Sequence, residues 1–164
     1  MSEEEYLSAS RTIQAPAADI FAVVSNPRGH VAIDSSGMLM SSQETDPVKA
    51  VGDTFTINMD REALGDFPMG RYQVLNTITK FEPDTLLEWG ISGTIQPPIG
   101  HVYGYRLEPA EDGGTVGTSY CDWSAISDQG RESGIFPGIP VTALRAILGI
   151  LERVVLAGGL PPAP

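Results

Sequence analysis

The tightest constraint on this chain lies near its end. Val141, Leu144, Ile147, Leu148, Leu151, Val154 and Val155 recur at helical spacing, with Thr142, Arg145 and Glu152 on the other side. The pattern predicts an amphipathic helix of about four turns from Val141 to Leu156, stopped at Gly158-Gly159. So continuous an apolar stripe must cover another apolar surface, and the rest of the chain can supply one only as a sheet. Leu7–Gln14, Met38–Gln43, Thr54–Met59, Arg71–Phe81, Leu86–Ser92, His101–Leu107 and Thr115–Ser124 read as strands. Turn chemistry separates them: Asp46-Pro47, Gly52-Asp53, Gly65-Asp66, Glu82-Pro83-Asp84, Pro97-Pro98 and the hairpin-like Asp112-Gly113-Gly114. Strands joined by short turns pair antiparallel, because parallel neighbours need long crossovers.

Two short helices interrupt this series after the first strand. Pro16 suits a first helical turn and Ile20, Val23 and Val24 form an apolar face, so a helix is expected over Ala17–Ser25. Asn26-Pro27 ends it, and a second short helix or turn follows over Arg28–Ile33. The irregular stretch Asp122–Ile139 carries Gly130, Gly134, Pro137 and Gly138. The order is therefore strand, two short helices, six strands, long helix: an α+β fold with about seven antiparallel strands curved around one helix.

Composition narrows the function. A chain of 164 residues suits one domain, expected over 7–157, with a disordered acidic start at 1–6 and a flexible tail at 158–164. A net charge of −11 and the lack of any Lys/Arg run argue against nucleic acid and against an anionic membrane surface. The acidic start Ser2-Glu3-Glu4-Glu5 has neither a secretory nor a transit pattern, and no apolar window of about 20 residues occurs. A cytoplasmic protein without membrane insertion is expected. One cysteine, Cys121, excludes an internal disulfide framework and a Cys-rich zinc site. No phosphate loop, dinucleotide fingerprint or G-x-S-x-G elbow is present, so no cofactor and no metal are expected. Oligomeric state stays open between monomer and homodimer, since an apolar edge strand can pair two copies.

Candidate site residues come from strand alternation. One face of His101–Leu107 carries His101, Tyr103, Tyr105 and Leu107; the other carries Arg106 and Glu108, which marks it as outer. In Leu86–Ser92, Leu87, Trp89 and Ile91 oppose Glu88, which turns Trp89 inward. Thr115–Ser124 is ambiguous between Gly117, Ser119, Cys121, Trp123 and Val116, Thr118, Tyr120, Asp122. Two readings compete for the inward aromatics: a packed core, or a ligand cavity with a few orienting polar groups. For proton transfer the candidates are His101, Tyr103, Tyr105, and a His30–Asp34 pair. Against that pair stands a turn aspartate in Asp34-Ser35-Ser36-Gly37. Cys121 reads as a small strand hydrophobe, and Asp60-Arg61-Glu62 as a surface turn.

Several segments, taken in order, resemble a known superfamily. They are Ser10–Phe21, His30–Gly37, Phe81-Glu82-Pro83, Tyr105–Pro109, Gly113-Gly114-Thr115 and Asp122-Trp123-Ser124. Over about residues 7 to 156 the chain resembles the helix-grip fold of the START/Bet v 1-like (SRPBCC) superfamily, in its bacterial polyketide cyclase/dehydrase and lipid-transport branch. The resemblance implies a cavity between sheet and C-terminal helix, with residues 30–34 near one end. It implies that the Trp123 set faces inward, so that Gly117 and Ser119 leave volume. The implied cavity residues are Trp89, His101, Tyr103, Tyr105, Cys121, Trp123, Leu144 and Leu148. The implied partner is a hydrophobic small molecule: lipid, polyketide-like or aromatic. The superfamily shares no catalytic motif, so three functions stand open: a carrier or sensor, an aromatase/cyclase-type enzyme, or an accessory protein acting through its surface.

Overall fold

A computed structural model describes residues 5–93, 99–137 and 139–162. Seven strands form one antiparallel sheet: β1 Tyr6–Ile13, β2 Leu39–Ser42, β3 Thr54–Asp60, β4 Arg71–Glu82, β5 Leu86–Ser92, β6 Val102–Pro109 and β7 Thr115–Asp122. Their spatial order is β1-β7-β6-β5-β4-β3-β2. Every link after β2 joins sheet neighbours, as short turns demand. The exception is the step from β1 to β2, which crosses from one edge to the other. Helices α1 (Ala17–Val24) and α2 (Pro27–Ala32) make that crossing. Asn26 separates them, its Oδ1 accepting from Arg28 N at 2.9 Å, with Pro27 in the first helical turn.

The long helix α4, Val141–Leu156, lies against β1, β7 and α1. Leu144, Leu148, Leu151 and Val155 are its buried stripe. This is the curved open sheet gripping a C-terminal helix that the element order implies. Gly117 faces this stripe: a Cβ there would stand in ordinary contact with the Ile13, Leu148 and Leu107 side chains, at 3.6–3.8 Å. The expected free volume at Gly117 is therefore taken by the helix. The irregular stretch holds one extra helix, α3 (Asp128–Glu132), capped by Ser127 Oγ on Gly130 N. The Pro97-Pro98 turn and Gly138 lie outside the described residues.

Residues just before β1 and just after α4 make contacts. Strand β1 begins at Tyr6, and Glu5 accepts from Arg131 Nη2 at 2.8 Å. Beyond α4, Leu160 packs on the core and Pro161 O accepts from Arg28 Nη1.

On the outer face, buried Glu88 accepts from Tyr120 Oη at 2.9 Å and from Thr79 Oγ1 at 2.7 Å. Tyr120 lies over Gly104, stacks on Tyr6 and carries the Arg106 guanidinium 5.2 Å from its ring centre. A Cβ at Gly104 would fall on the Tyr120 ring. Gly104→Ala is therefore expected to push Tyr120 off Glu88. Overpacking of this kind costs about 1–3 kcal/mol, readable as a lowered urea midpoint.

Candidate functional site

Two chambers, of about 110 and 170 Å³, lie on the inner face of the sheet: the inner one against α2, the 34–38 loop and the middle of α4, the outer one against Arg61 and Ile135-Phe136. Five residues are common to both walls: Met38, Met59, Val74, Ile91 and Tyr103. The inner chamber adds His30, Asp34, Asn76, Trp89 and Tyr105, with Ile147 of α4. The outer adds Arg61, Met69, Tyr72, His101 and Phe136. The inward phases of four strands supply most of these side chains, and register brings them together. Trp89 pairs with Tyr103, Tyr103 with Cys121, and Tyr105 with Ser119. The Trp89 ring lies 6.1 Å from Tyr103 and 5.5 Å from Tyr105.

His30 completes this aromatic group. Its ring meets Trp89 edge-on at 4.5 Å and Phe55 at 4.9 Å. Its Nε2 lies 2.8 Å from the Val24 carbonyl, which can only accept, so Nε2 carries the proton and donates. Burial lowers the His30 pKa to about 4, against a smaller upward pull from that carbonyl. At neutral pH the ring is uncharged.

Asp34 lines the same chamber, yet it is bound to its own turn rather than to His30. Oδ1 accepts from Ser36 N and Oγ, and Oδ2 accepts from Gly37 N at 2.8 Å and Leu39 N at 3.2 Å. Of the two readings of Asp34 the turn aspartate holds, and the candidate His30–Asp34 pair does not form, because the turn and the Val24 carbonyl satisfy each partner first. Ser35 Oγ ties this loop to α4 through the Ala143 carbonyl.

His101 precedes β6 and stands in the outer wall, edge-on to Tyr103 and Phe136. Burial lowers its pKa to about 4 as well, and its Nδ1 has no hydrogen-bond partner among the described residues. Burial raises the pKa of Tyr103 and Tyr105. Cys121 adds to the rise at Tyr103, and the Asp34 charge to that at Tyr105. A weak base near 4 and phenols above their usual range are poorly matched to proton transfer at neutral pH.

The remaining sequence candidates lie elsewhere. Leu144 and Leu148 are 1% exposed and belong to the packed seam of α4, outside both chamber walls. Cys121 sits behind Tyr103, and burial pushes its thiol up to about 12. Native Cys121 is therefore expected to resist a thiol reagent at pH 8 and to react fully once the chain is unfolded. Trp123 follows β7, half-buried and outside both walls, its N–H donating to Glu5 O. The strand has ended by then, so the alternation that turns Cys121 inward no longer governs Trp123.

Among the wall residues that escape the sequence reading are Asn76 and Arg61. Asn76 shares an inward phase with Tyr72, Val74 and Ile78 on β4; extending the alternation to that strand would find it. Arg61, expected in a surface turn, is 6% exposed. It opens a 3-10 turn, Arg61–Leu64, and forks onto Asp66 at 2.9 and 2.8 Å. No local pattern marks it, since its shelter comes from Met38, Phe67 and the chamber itself. Among the described residues no group of three or more His, Cys, Asp or Glu could hold a metal ion, and no helix is long and apolar enough to cross a membrane.

No family model matches the chain. A Mycobacterium tuberculosis protein described as uncharacterized, Rv0088, is 29% identical over 102 residues, which is 62% of this chain and 40% of that protein. The chain thus spans well under half the length of the curated relatives it matches. Truncated norcoclaurine synthase from Thalictrum flavum superposes with a TM-score of 0.61 at 16% identity, over 95% of this chain and 98% of that one. DynU16, from the dynemicin biosynthetic locus, gives 0.58 at 15% identity, over 96% of this chain and 49% of that one. Likeness at such identity speaks to fold. The chain shares their helix-grip fold, a curved antiparallel sheet around a C-terminal helix.

Proposed function

We propose that this chain binds an apolar small molecule in the two adjoining chambers, as a carrier or sensor. The observation that carries this reading is the wall: Ile, Met and aromatic side chains line both spaces, with few polar groups among them. Met38 and Met59 stand where the chambers meet, and flexible thioethers can re-pack to admit a guest larger than either space. An aromatase/cyclase-type enzyme is the second reading. It draws on the names of norcoclaurine synthase and the dynemicin-locus protein, which describe those proteins. The lowered histidine pKa values favour binding over acid–base turnover.

The test is a thermal-shift screen of hydrophobic compounds, followed by mass spectrometry of each hit after incubation. The expected result is a stabilising ligand recovered unchanged. Tyr103→Phe should then weaken binding by no more than one hydrogen bond, about 0.5–1.5 kcal/mol. Conversion of a hit that His101→Ala abolishes, with binding retained, would sink the carrier reading. A broad panel with no hit would count against the chambers as a ligand site.

A further inference from the structure

Three buried side-chain polar atoms lack a hydrogen-bond partner among the described residues, and two of them belong to residues of the chamber walls: the Oδ1 of Asn76, an inner-wall residue, and the Nδ1 of His101, an outer-wall residue. Such atoms cost stability and are retained where something else uses them. Asn76 is the more telling. It is 3% exposed, and its register partners are apolar: Phe55 on β3 and Ile91 on β5. A Val or Leu would suit this inward position better than an amide. A residue that breaks the local pattern without a partner points to a guest.

The charges nearby restrict that guest. Asp34 is the carboxylate in the inner wall, and four donors of its own turn already occupy its oxygens. No Lys or Arg lines the inner chamber, and His30 is uncharged at neutral pH. An anion would face Asp34 uncompensated, and a cation would compete with four hydrogen bonds for it. The Arg61 charge in the outer wall is forked onto Asp66. An amide offers an acceptor in one orientation and a donor after a half-turn about χ2. A hydroxyl complements either.

We propose that the inner chamber takes the uncharged, hydroxyl-bearing end of an otherwise apolar molecule, with the Asn76 amide as its anchor. The proposal rests on the ligand-binding reading and names the class of ligand.

The full chain is titrated by calorimetry at pH 8 with four probes of equal chain length: 1-octanol, 1-chlorooctane, octanoate and octylammonium. Octanol should bind at least tenfold more tightly than either ion. In Asn76→Leu the octanol affinity should fall about five- to tenfold, chlorooctane should stay within about twofold, and the unliganded protein should melt higher than wild type. A merely structural Asn76 would not move the octanol-to-chlorooctane ratio. Asn76→Ala is the second variant, read by the same ratio if the leucine does not fold. An ion binding as tightly as octanol, or an unchanged ratio in the folded variants, would overturn the hydroxyl proposal and leave the ligand-binding reading standing. If none of the four probes binds, both readings fall.

Discussion

Leu148→Asp is expected to abolish cooperative folding. Leu148 is 1% exposed, at the centre of the α4 stripe, and its Cδ2 packs over Gly117 on β7. Removing a buried leucine alone costs about 2–5 kcal/mol. An aspartate adds a carboxylate with no cation in this seam, at an effective penalty of several kcal/mol. The two together rival the roughly 5–15 kcal/mol by which an ordinary domain is stable. Circular dichroism and urea titration would show no native baseline. Arg145→Asp, on the exposed side of the same helix, should leave the midpoint nearly unchanged. A soluble, cooperatively unfolding Leu148→Asp protein would overturn the packing of α4 on β1 and β7.

The second large effect is on acid stability. His30 and His101 both fall from an ordinary 6.5 to about 4 on folding, chiefly because burial disfavours the imidazolium. A folded pKa below the unfolded one means that the unfolded chain binds more protons in between. The stabilisation is complete above pH 6.5, declines as pH falls, and is gone below about 4. Shifts of this size are worth on the order of 3 kcal/mol per histidine. Asp66 and Asp112 do not blur this window. Both are lowered from 3.8, Asp66 chiefly by its bond from Arg61 and Asp112 by the Gly114 N–H, so their stabilisation is lost only below the range where the histidines act. Urea midpoints should hold steady above neutral and drop steeply between pH 6.5 and 4. His101→Gln should remove about half of that drop. A flat profile would show that neither ring is buried neutral.

These two results test features of very different legibility. The α4 stripe could be read directly from seven apolar residues, because helix amphipathicity is a local property that survives without its partner. The inward faces of β5 and β6 were legible for the same reason: a charged residue on one phase, Glu88 or Arg106, reveals the other as interior. On β7 neither phase is charged before Asp122. Alternation alone left its phase open; pairing with β6 sets Cys121 and Ser119 inward, as the resemblance implies, while Tyr120 reaches Glu88 on the outside.

The site was legible in part. Trp89, Tyr103 and Tyr105 converge as alternation suggests, since antiparallel register sets same-phase residues side by side. Leu144 and Leu148 were placed on the correct face of the helix, but that face fills the seam over Gly117 instead of lining a chamber. Direction around the helix decides the difference: Ile147 lies between the two leucines along the axis but is turned to one side of them, and it alone of α4 reaches the inner wall. Whether His30 pairs with Asp34 depended on competing acceptors and donors, six residues back at Val24 and within the 34–39 turn.

Sequence periods therefore established the elements, their order and the aromatic interior, because each is encoded within a few residues along the chain. Tertiary structure alone decided which polar groups became buried and whether they found partners. Arg61 is sheltered by a chamber wall, and Asn76 is surrounded by apolar neighbours from two other strands. Burial and hydrogen-bond satisfaction are properties of the assembled surroundings, and those surroundings come from segments tens of residues apart.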